Sequence, residues 1–469
     1  MLAFLTKGRI IALVLVMLAA ASGYYLFFYA KTHKTEFAAS SLNIFQKVSK
    51  LLPIAPDTKK ELEVVNQLVA ELTKQDDKVR VFLIMLQNAD ELRPGGGFLG
   101  QYAVIKVKNG AVTSTYVEDA NLLDQRIVAK ITPPYPFQRK LQLKKWKFRD
   151  SNFSPDFPTN AEKAQYFYRL SGGREKFDGV IAVNSRVFNN ILNITGPIQI
   201  AGDSNVYTSE DGAYKLEERV ERAYLGEDVP AELKQNRKAI MKRLAAEIMN
   251  RVATVGNIPK LVEFSQNELR NRDIMLYFSD PNLQSLVESV HWDGSVAKDW
   301  EGDYLMLVDA NMGALKSDYY MRRSLDYTVD FSGEKPTATI LYTYKHTAAR
   351  GDWRTSDYHS YLRAYVPKGA KLLERKLVGS PLTDEAFNKT YFGVFVDVLI
   401  GGETQGMLKY ELPETVTADN YRLLIQKQSG VGTIPVSVHI KTKDGKTFDQ
   451  TTDLQKDLNL SFQEVEEKK

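Results

Sequence analysis

The first hydrophobic segment of the chain is long enough to cross a membrane. Residues 10–30 are almost continuously apolar, and aromatic side chains gather at the far end of this segment. About twenty apolar residues span a bilayer as a helix, and aromatic residues favour its interface with water. We therefore predict a cytoplasmic N-terminus at residues 1–9 and a single-pass anchor in the cell membrane at residues 10–30, with the bulk of the chain extracytoplasmic. A signal peptide cleaved near residues 19–21 is the alternative.

Residues 31–78 carry a helical pattern. Leu62, Val65, Leu68 and Leu72 recur at spacings of three and four, which places them on one face of a helix. We predict a helical stalk over these residues.

Residues 79–315 alternate between strand-like and helix-like patterns. Residues 81–87 are apolar enough for a strand buried on both faces, and residues 103–107 alternate before the hairpin signal Asn109-Gly110. Helical patterns separate these strands from later strand-like runs such as residues 304–308. This order predicts an α/β sandwich, a mixed sheet flanked by helices.

From about residue 316 the pattern changes to short strands. Hydrophobic and polar residues alternate from Leu325 to Phe331 and again in several later runs. Short strands at regular spacing, without a helical stripe, predict an all-β immunoglobulin-like sandwich over residues 316–464. The last residues, 465–469, are predicted to be a frayed tail.

Composition excludes several classes of site. The 469 residues contain no cysteine, so disulfides, thiolate zinc sites and cysteine nucleophiles are excluded. The five histidines are scattered without the spacing of metal ligands. A net charge of +4 is small for this length and does not predict a nucleic-acid partner.

A glycine-rich turn follows the first strand of the α/β region. Residues 95–100, Gly-Gly-Gly-Phe-Leu-Gly, match the dinucleotide-binding pattern G-x-G-x-x-G. That motif requires a helix to open at the glycines so that backbone amides face the pyrophosphate. A strand-like alternation follows instead, so the sequence favours a plain tight turn.

Arg93 precedes these glycines and is the most informative residue of the turn. Its planar fork could bind phosphate oxygens bidentately, while Gly95 and Gly96 would let backbone amides approach the ligand. The alternative is an ion pair between Arg93 and Asp90 or Glu91 on the same turn.

Three further arginines could join Arg93 around an anion. Arg219 and Arg222 are three residues apart on a predicted helix, and Arg237 opens the following helix. A solvated basic face is the alternative for this group.

Acidic residues after the hairpin could hold a cation. Asp119 follows the second strand of the hairpin, and a carboxylate beside a phosphate-binding arginine could hold Mg²⁺. A solvated loop is the alternative. Further along, Asp150, Asn152 and Asp156 could cap or turn the chain.

Three segments resemble a bacterial family of membrane-anchored proteins known as domain of unknown function 4012. They are Leu86 to Phe98, Arg149 to Pro158, and Phe177 to Val183 followed by Thr195-Gly-Pro197. The resemblance implies an envelope protein and implies no activity.

A weaker similarity is to the LytR-CpsA-Psr phosphotransferases, which move polyprenyl-pyrophosphate-linked glycans onto the cell wall. The similarity lies in the order of parts: an anchor, an arginine turn after the first strand, and a later arginine cluster at Arg219, Arg222 and Arg237. The acid that follows the first arginine in that family is replaced here by Pro94-Gly95. A further Pro-Arg-Asp element appears only as Val117-Glu-Asp119.

Two functional hypotheses follow for this predicted envelope protein. In the first, the protein binds or transfers a polyprenyl-phosphate-linked glycan during assembly of the cell wall or a surface polymer. Its ligand residues are then Arg93, Gly95, Gly96, Arg219, Arg222 and Arg237; Arg93 and Asp119 are catalytic, and Asp119 holds Mg²⁺. In the second, the protein is a non-catalytic adhesion or scaffolding protein with an envelope protein or glycan as its partner.

Overall fold

A computed structural model describes residues 56–225, 239–252, 258–313, 315–419 and 421–461. The predicted anchor at 10–30, most of the stalk, Arg237 and the tail at 465–469 lie outside these residues. Among the residues that are described, no helix is long and apolar enough to cross a membrane.

The chain forms two compact units, each built from several stretches of sequence. The first comprises the described parts of Met1–Gln87, Leu99–Val128 and Ala164–Asp293, and the second comprises Asn88–Phe98, Ala129–Lys163 and Gly294–Lys469. The glycine-rich turn thus groups with the C-terminal residues. The predicted domain boundary near residue 316 does not coincide with this division.

Ten α-helices and β-strands lie between residue 56 and residue 199. They are α1 Pro56–Leu72, β1 Val79–Asn88, β2 Phe98–Lys108, β3 Ala111–Asp119, α2 Ala120–Arg126, α3 Tyr135–Lys140, α4 Phe157–Leu170, β4 Gly179–Asn184, α5 Arg186–Thr195 and β5 Ile198–Gln199.

The remaining elements before the C-terminal strands run to residue 308. They are β6 Val206–Tyr207, α6 Gly212–Leu225, α7 Ala239–Val252, α8 Ile258–Arg270, β7 Ile274–Phe278, α9 Pro281–Glu288 and β8 Asp303–Val308.

The first unit contains the mixed sheet with flanking helices that the sequence predicts. Its strand order is β3-β2-β1-β4-β7, in which β1 and β4 are parallel and β4 and β7 are antiparallel. β1 is buried along most of its length, as expected for an apolar strand covered on both faces. The β2–β3 hairpin turns at Asn109 and Gly110, both with positive φ, which confirms the turn predicted there.

The second unit is rich in β-structure. Its later strands are β9 Met321–Asp330, β10 Thr337–His346, β11 Tyr358–Pro367, β12 Lys371–Lys376, β13 Leu382–Ala386, β14 Lys389–Val398, β15 Glu403–Glu411, β16 Arg422–Ile425, β17 Ile434–Lys441, β18 Thr447–Leu454 and β19 Leu458–Ser461.

Together with β8, these strands form two six-stranded sheets. The orders are β12-β15-β10-β9-β17-β18 and β13-β14-β11-β8-β16-β19. Side chains from both sheets, such as Tyr327 on β9 and Leu362 on β11, belong to one hydrophobic core. The alternation from Leu325 to Phe331 places its apolar residues in that core, which confirms the predicted period.

One strand lies in a different sheet from the one that the sequence predicts. The sequence predicts residues 304–308 as a late strand of the α/β sheet, but β8 pairs with β11 and β16 in the second unit. An apolar run shows that a strand is buried but does not specify its neighbours, which are set by long-range pairing.

A buried carboxylate lies in the core of the second unit. Asp303 is fully buried and accepts hydrogen bonds from the hydroxyls of Tyr327 at 2.8 Å and Tyr421 at 2.7 Å. Burial raises the pKa of Asp303 to about 6, although these hydroxyls favour the ionised form. Asp303 is therefore a titratable group inside the β-rich unit.

Candidate functional site

The side chain of Arg93 is buried and bound to groups of its own compact unit. It is 2% exposed. Nε donates to Asp150 Oδ1 at 3.2 Å, Nη2 donates to Glu91 Oε1 at 2.9 Å, and Nη1 donates to the Asn311 carbonyl at 3.1 Å. The ion pair with Glu91 that the sequence left open is therefore present, and it is joined by a second carboxylate, Asp150.

The charges around Arg93 explain its protonation and that of its partner. Burial disfavours the charged guanidinium, but Glu91 and Asp150 outweigh burial, so the pKa of Arg93 lies above its ordinary value. Burial raises the pKa of Glu91, and the nearby Asp150 charge adds to this rise, whereas Arg93 acts in the opposite direction. The two carboxylates thus keep Arg93 charged, and Lys316 as well as Arg93 favours the ionised form of Glu91.

The glycines after Arg93 allow backbone to pack closely against backbone. The Gly95 amide donates to the Asn152 carbonyl at 2.9 Å, and Asn152 Nδ2 donates to the Gly97 carbonyl at 2.6 Å. A Cβ added at Gly97 would lie 2.3 Å from the carbonyl oxygen of Asn88. Gly95 and Gly97 are thus required for close packing within this unit.

A second buried network, centred on Arg323 of β9, contacts the glycine-rich turn. Arg323 Nε pairs with Asp309 at 2.9 Å, and its Nη2 pairs with Asp318 at 2.6 Å. The other oxygen of Asp318 accepts the Leu92 amide at 3.0 Å, and Gln428 Nε2 donates to the Arg93 carbonyl at 3.1 Å. The turn is therefore fixed through both its side chains and its backbone.

Asp156 immediately precedes α4, which begins at Phe157 within the Arg149–Pro158 segment. Its Oδ2 accepts hydrogen bonds from the Thr159 amide at 3.3 Å and from the Thr159 hydroxyl at 2.6 Å. Its Oδ1 accepts one from the Val296 amide at 3.1 Å. The capping role that the sequence left open for this residue is present.

An aromatic cleft lies in the second unit beside the Asp150 segment, and the sequence analysis did not predict it. Its volume is about 240 Å³. Five aromatic residues line it: Trp146, Phe153, Tyr365, Phe387 and Tyr391. Because these rings come from segments that are distant in sequence, no local sequence motif predicts the cleft.

Residues 77–220 match the profile of a protein family described as a protein of unknown function, DUF4012. The chain is similar to the DUF4012 family over this segment, which covers less than half of its length. Comparisons with curated proteins and with solved structures found no match. None of these comparisons points to the LytR-CpsA-Psr phosphotransferases.

The DUF4012 segment contains Arg93 and its carboxylate partners Glu91 and Asp150. It also contains Trp146 and Phe153, which line one side of the cleft. Tyr365 and the other cleft residues beyond residue 220 lie outside it. The segment therefore carries the buried arginine network and part of the cleft.

Asp119 lies within the DUF4012 segment and caps a helix. Its Oδ1 accepts the Asn121 amide at 2.8 Å at the start of α2. In the described part of the chain, no group of three or more His, Asp or Glu side chains is placed to hold a metal ion. The structure thus gives Asp119 a local structural role, and Mg²⁺ binding stays a prediction.

The other predicted ligand arginines belong to a different part of the chain from Arg93. Arg219 lies on α6 in the first unit, 41% exposed, with Nε 3.8 Å from Asp203 Oδ2. Arg222 follows on the same helix, and Arg237 lies outside the described residues. Arg93 belongs to the second unit. Their predicted convergence on one anion therefore has no support from the described contacts.

Proposed function

We propose that this protein is a membrane-anchored, extracytoplasmic envelope protein whose folded region is a non-catalytic binding and scaffolding module. The observation that carries this proposal is the environment of Arg93. A residue that binds and transfers phosphoryl groups must present its donors to a ligand. The donors of Arg93 are directed instead at Glu91, Asp150 and a backbone carbonyl.

The transfer hypothesis also needs a cation site and converging arginines. Asp119 already accepts a backbone amide at a helix start, and Arg219 lies beside Asp203. These contacts favour structural roles for both residues. The module proposed here does not need either of them for chemistry.

The membrane anchor and the immunoglobulin-like fold of the β-rich region are parts of the same proposal. The anchor rests on the apolar run at residues 10–30. We infer an immunoglobulin-like sandwich for the β-rich region, supported by two six-stranded sheets that share a core. Such a region could contact an envelope protein or a glycan.

Protease accessibility tests the orientation. Protease added to intact spheroplasts should remove a C-terminal tag while a cytoplasmic marker protein remains whole. Permeabilised cells provide the control in which both are digested. Protection of the tag in intact spheroplasts would show that the proposed orientation is wrong.

A transfer assay tests the absence of catalysis. Full-length protein is incubated with Mg²⁺, a polyprenyl-pyrophosphate-linked oligosaccharide and a cell-wall glycan fragment whose hydroxyls can accept the glycosyl phosphate, and the release of polyprenyl phosphate is measured. The expected result is no release above the protein-free control. Release that disappears in an Asp119→Asn variant of normal abundance would establish a transferase and reject the non-catalytic module.

A further inference from the structure

The cleft combines aromatic walls with polar groups. Trp146 and Phe153 come from the chain before α4, whereas Tyr365 lies on β11 and Tyr391 on β14. The Tyr365 and Tyr391 rings pack with their centroids 5.1 Å apart. Trp146 is held by a hydrogen bond from its Nε1 to the Asp150 carbonyl at 2.7 Å. The residue that pairs with Arg93 therefore also fixes one wall of the cleft.

Arg363 lies among these rings and retains an unused donor. It is 7% exposed, and its guanidinium carbon is 4.6 Å from the centroid of the Phe153 ring. Nη1 donates to the Tyr365 hydroxyl at 2.9 Å, and Nη2 donates to the Phe153 carbonyl at 2.8 Å. Nε is buried and has no hydrogen-bond partner among the described residues. Leaving such a donor unpaired is unfavourable, so a ligand acceptor that reaches it after a small shift of the side chain gains affinity.

Ser151 supplies a second unused polar group. It lines the cleft and is 1% exposed, and its Oγ has no hydrogen-bond partner within the described ranges. A hydroxyl can both donate and accept. The cleft therefore has two polar groups without a hydrogen-bond partner among the described residues. They are the Ser151 hydroxyl, which can donate and accept, and the Arg363 Nε, which can donate.

The charges that line the cleft balance. Lys163 and Arg363 are cationic, and Asp384 and Glu385 are anionic, so the two positive and two negative groups give a formal charge of zero. A phosphate ligand would meet two carboxylates, and an ammonium ligand would meet two cations. A neutral ligand with several hydrogen-bond donors and acceptors can pair with the cationic and with the anionic side chains.

We propose that this cleft binds one sugar ring of a neutral saccharide. The inference deepens the proposed binding role by naming the ligand class, and it does not depend on the membrane anchor. The apolar faces of a sugar ring pack on aromatic side chains, while its hydroxyls reach Ser151, Arg363 and Asp384. The volume of about 240 Å³ lies below the roughly 300 Å³ at which pockets for drug-sized ligands begin, which suits a single ring.

Isothermal titration calorimetry tests the proposal. Full-length protein, kept in a detergent without a sugar head group, is titrated with chitotriose, maltotriose and cellotriose. At least one trisaccharide should bind saturably. Trp146→Ala should weaken that binding by about tenfold or more because it removes a stacking surface. Asp384→Asn, at an exposed position, is a second variant that should also weaken binding without a risk to folding.

Trp353→Ala is the matched control, since Trp353 does not line the cleft. It should bind like the wild type. Failure of all three trisaccharides to bind at about 10 mM would overturn the proposal. Equal effects of Trp146→Ala and Trp353→Ala, with none from Asp384→Asn, would also overturn it. Competition by inorganic pyrophosphate would assign the cleft to anions instead of neutral sugars. A negative result here leaves the outcomes of the spheroplast and transfer experiments unchanged, so the two proposals can fail separately.

Discussion

Replacing Arg93 with Lys should destabilise the glycine-rich turn even though the positive charge is kept. The guanidinium joins Glu91 and Asp150 through different nitrogens and also donates to the Asn311 carbonyl. A lysine ammonium is a compact charge without a planar fork and cannot reproduce this geometry. One buried carboxylate and one buried carbonyl would lose their partner.

The magnitude follows from these lost contacts. Breaking a buried ion pair completely costs about 3–5 kcal/mol, and a lost hydrogen bond costs about 1 kcal/mol. The retained lysine charge offsets part of the first cost. We therefore expect Arg93→Lys to lower the free energy of opening of the turn by about 2–4 kcal/mol.

Hydrogen exchange followed by mass spectrometry measures this effect locally, which avoids assuming two-state unfolding for a chain with two compact units. Amides between Asn88 and Phe98 should exchange about 30- to 900-fold faster in the variant. The control is Arg322→Lys, because the side chain of Arg322 is exposed and, among the described residues, donates to the backbone carbonyls of Tyr319 and Met321. Its effect should stay within about 0.5 kcal/mol.

Two results would refute this reasoning. Exchange in Arg93→Lys that matches exchange in Arg322→Lys would show that the network does not hold the turn. Unchanged exchange together with lost binding of a lipid phosphate would identify Arg93 as a ligand residue, as the sequence-based hypothesis requires.

Two further predictions concern the core and the turn. The pKa of Asp303 is about 6 in the folded state, against an ordinary value of 3.8, so the folded state binds this proton more tightly. Stability should therefore fall by about 3 kcal/mol as pH rises from about 3 to about 7. Denaturant titrations across this range should show that Asp303→Asn loses this contribution, and an identical pH dependence in both proteins would contradict it. Gly97→Ala should destabilise the protein by about 1–3 kcal/mol because its Cβ meets the Asn88 backbone, whereas Gly100→Ala, with open space around it, should be close to neutral. Equal unfolding midpoints for the two alanine variants would count against the close packing.

Local patterns in the sequence were sufficient for several elements. The run at residues 81–87 predicts a buried strand, and Asn109-Gly110 predicts the hairpin turn; both are present. The alternation from Leu325 to Phe331 likewise predicts which side chains enter the core. Each of these features depends on the period of neighbouring residues, so the sequence determines them by itself.

The partners of Arg93 show what only the tertiary structure decided. Glu91 is two residues away, and an ion pair with Asp90 or Glu91 was one of the two alternatives that the sequence left open for Arg93. Asp150 is 57 residues away and Asn311 is 218 residues away, and their contacts with Arg93 arise from the fold. The sequence could identify a functional group but not whether its donors face a ligand or the protein, because that depends on distant segments.

Strand pairing and the membership of a site also depend on residues that are distant in sequence. Hydrophobic periodicity predicts β8 as buried but leaves open which sheet it joins. Trp146 and Arg363 line one cleft although more than two hundred residues separate them. Hydrophobic periodicity is a property of residues that are close in sequence, so the sequence alone determines it. Strand partners, buried charge pairs and the aromatic cleft depend on contacts between distant residues, so only the folded chain determines them.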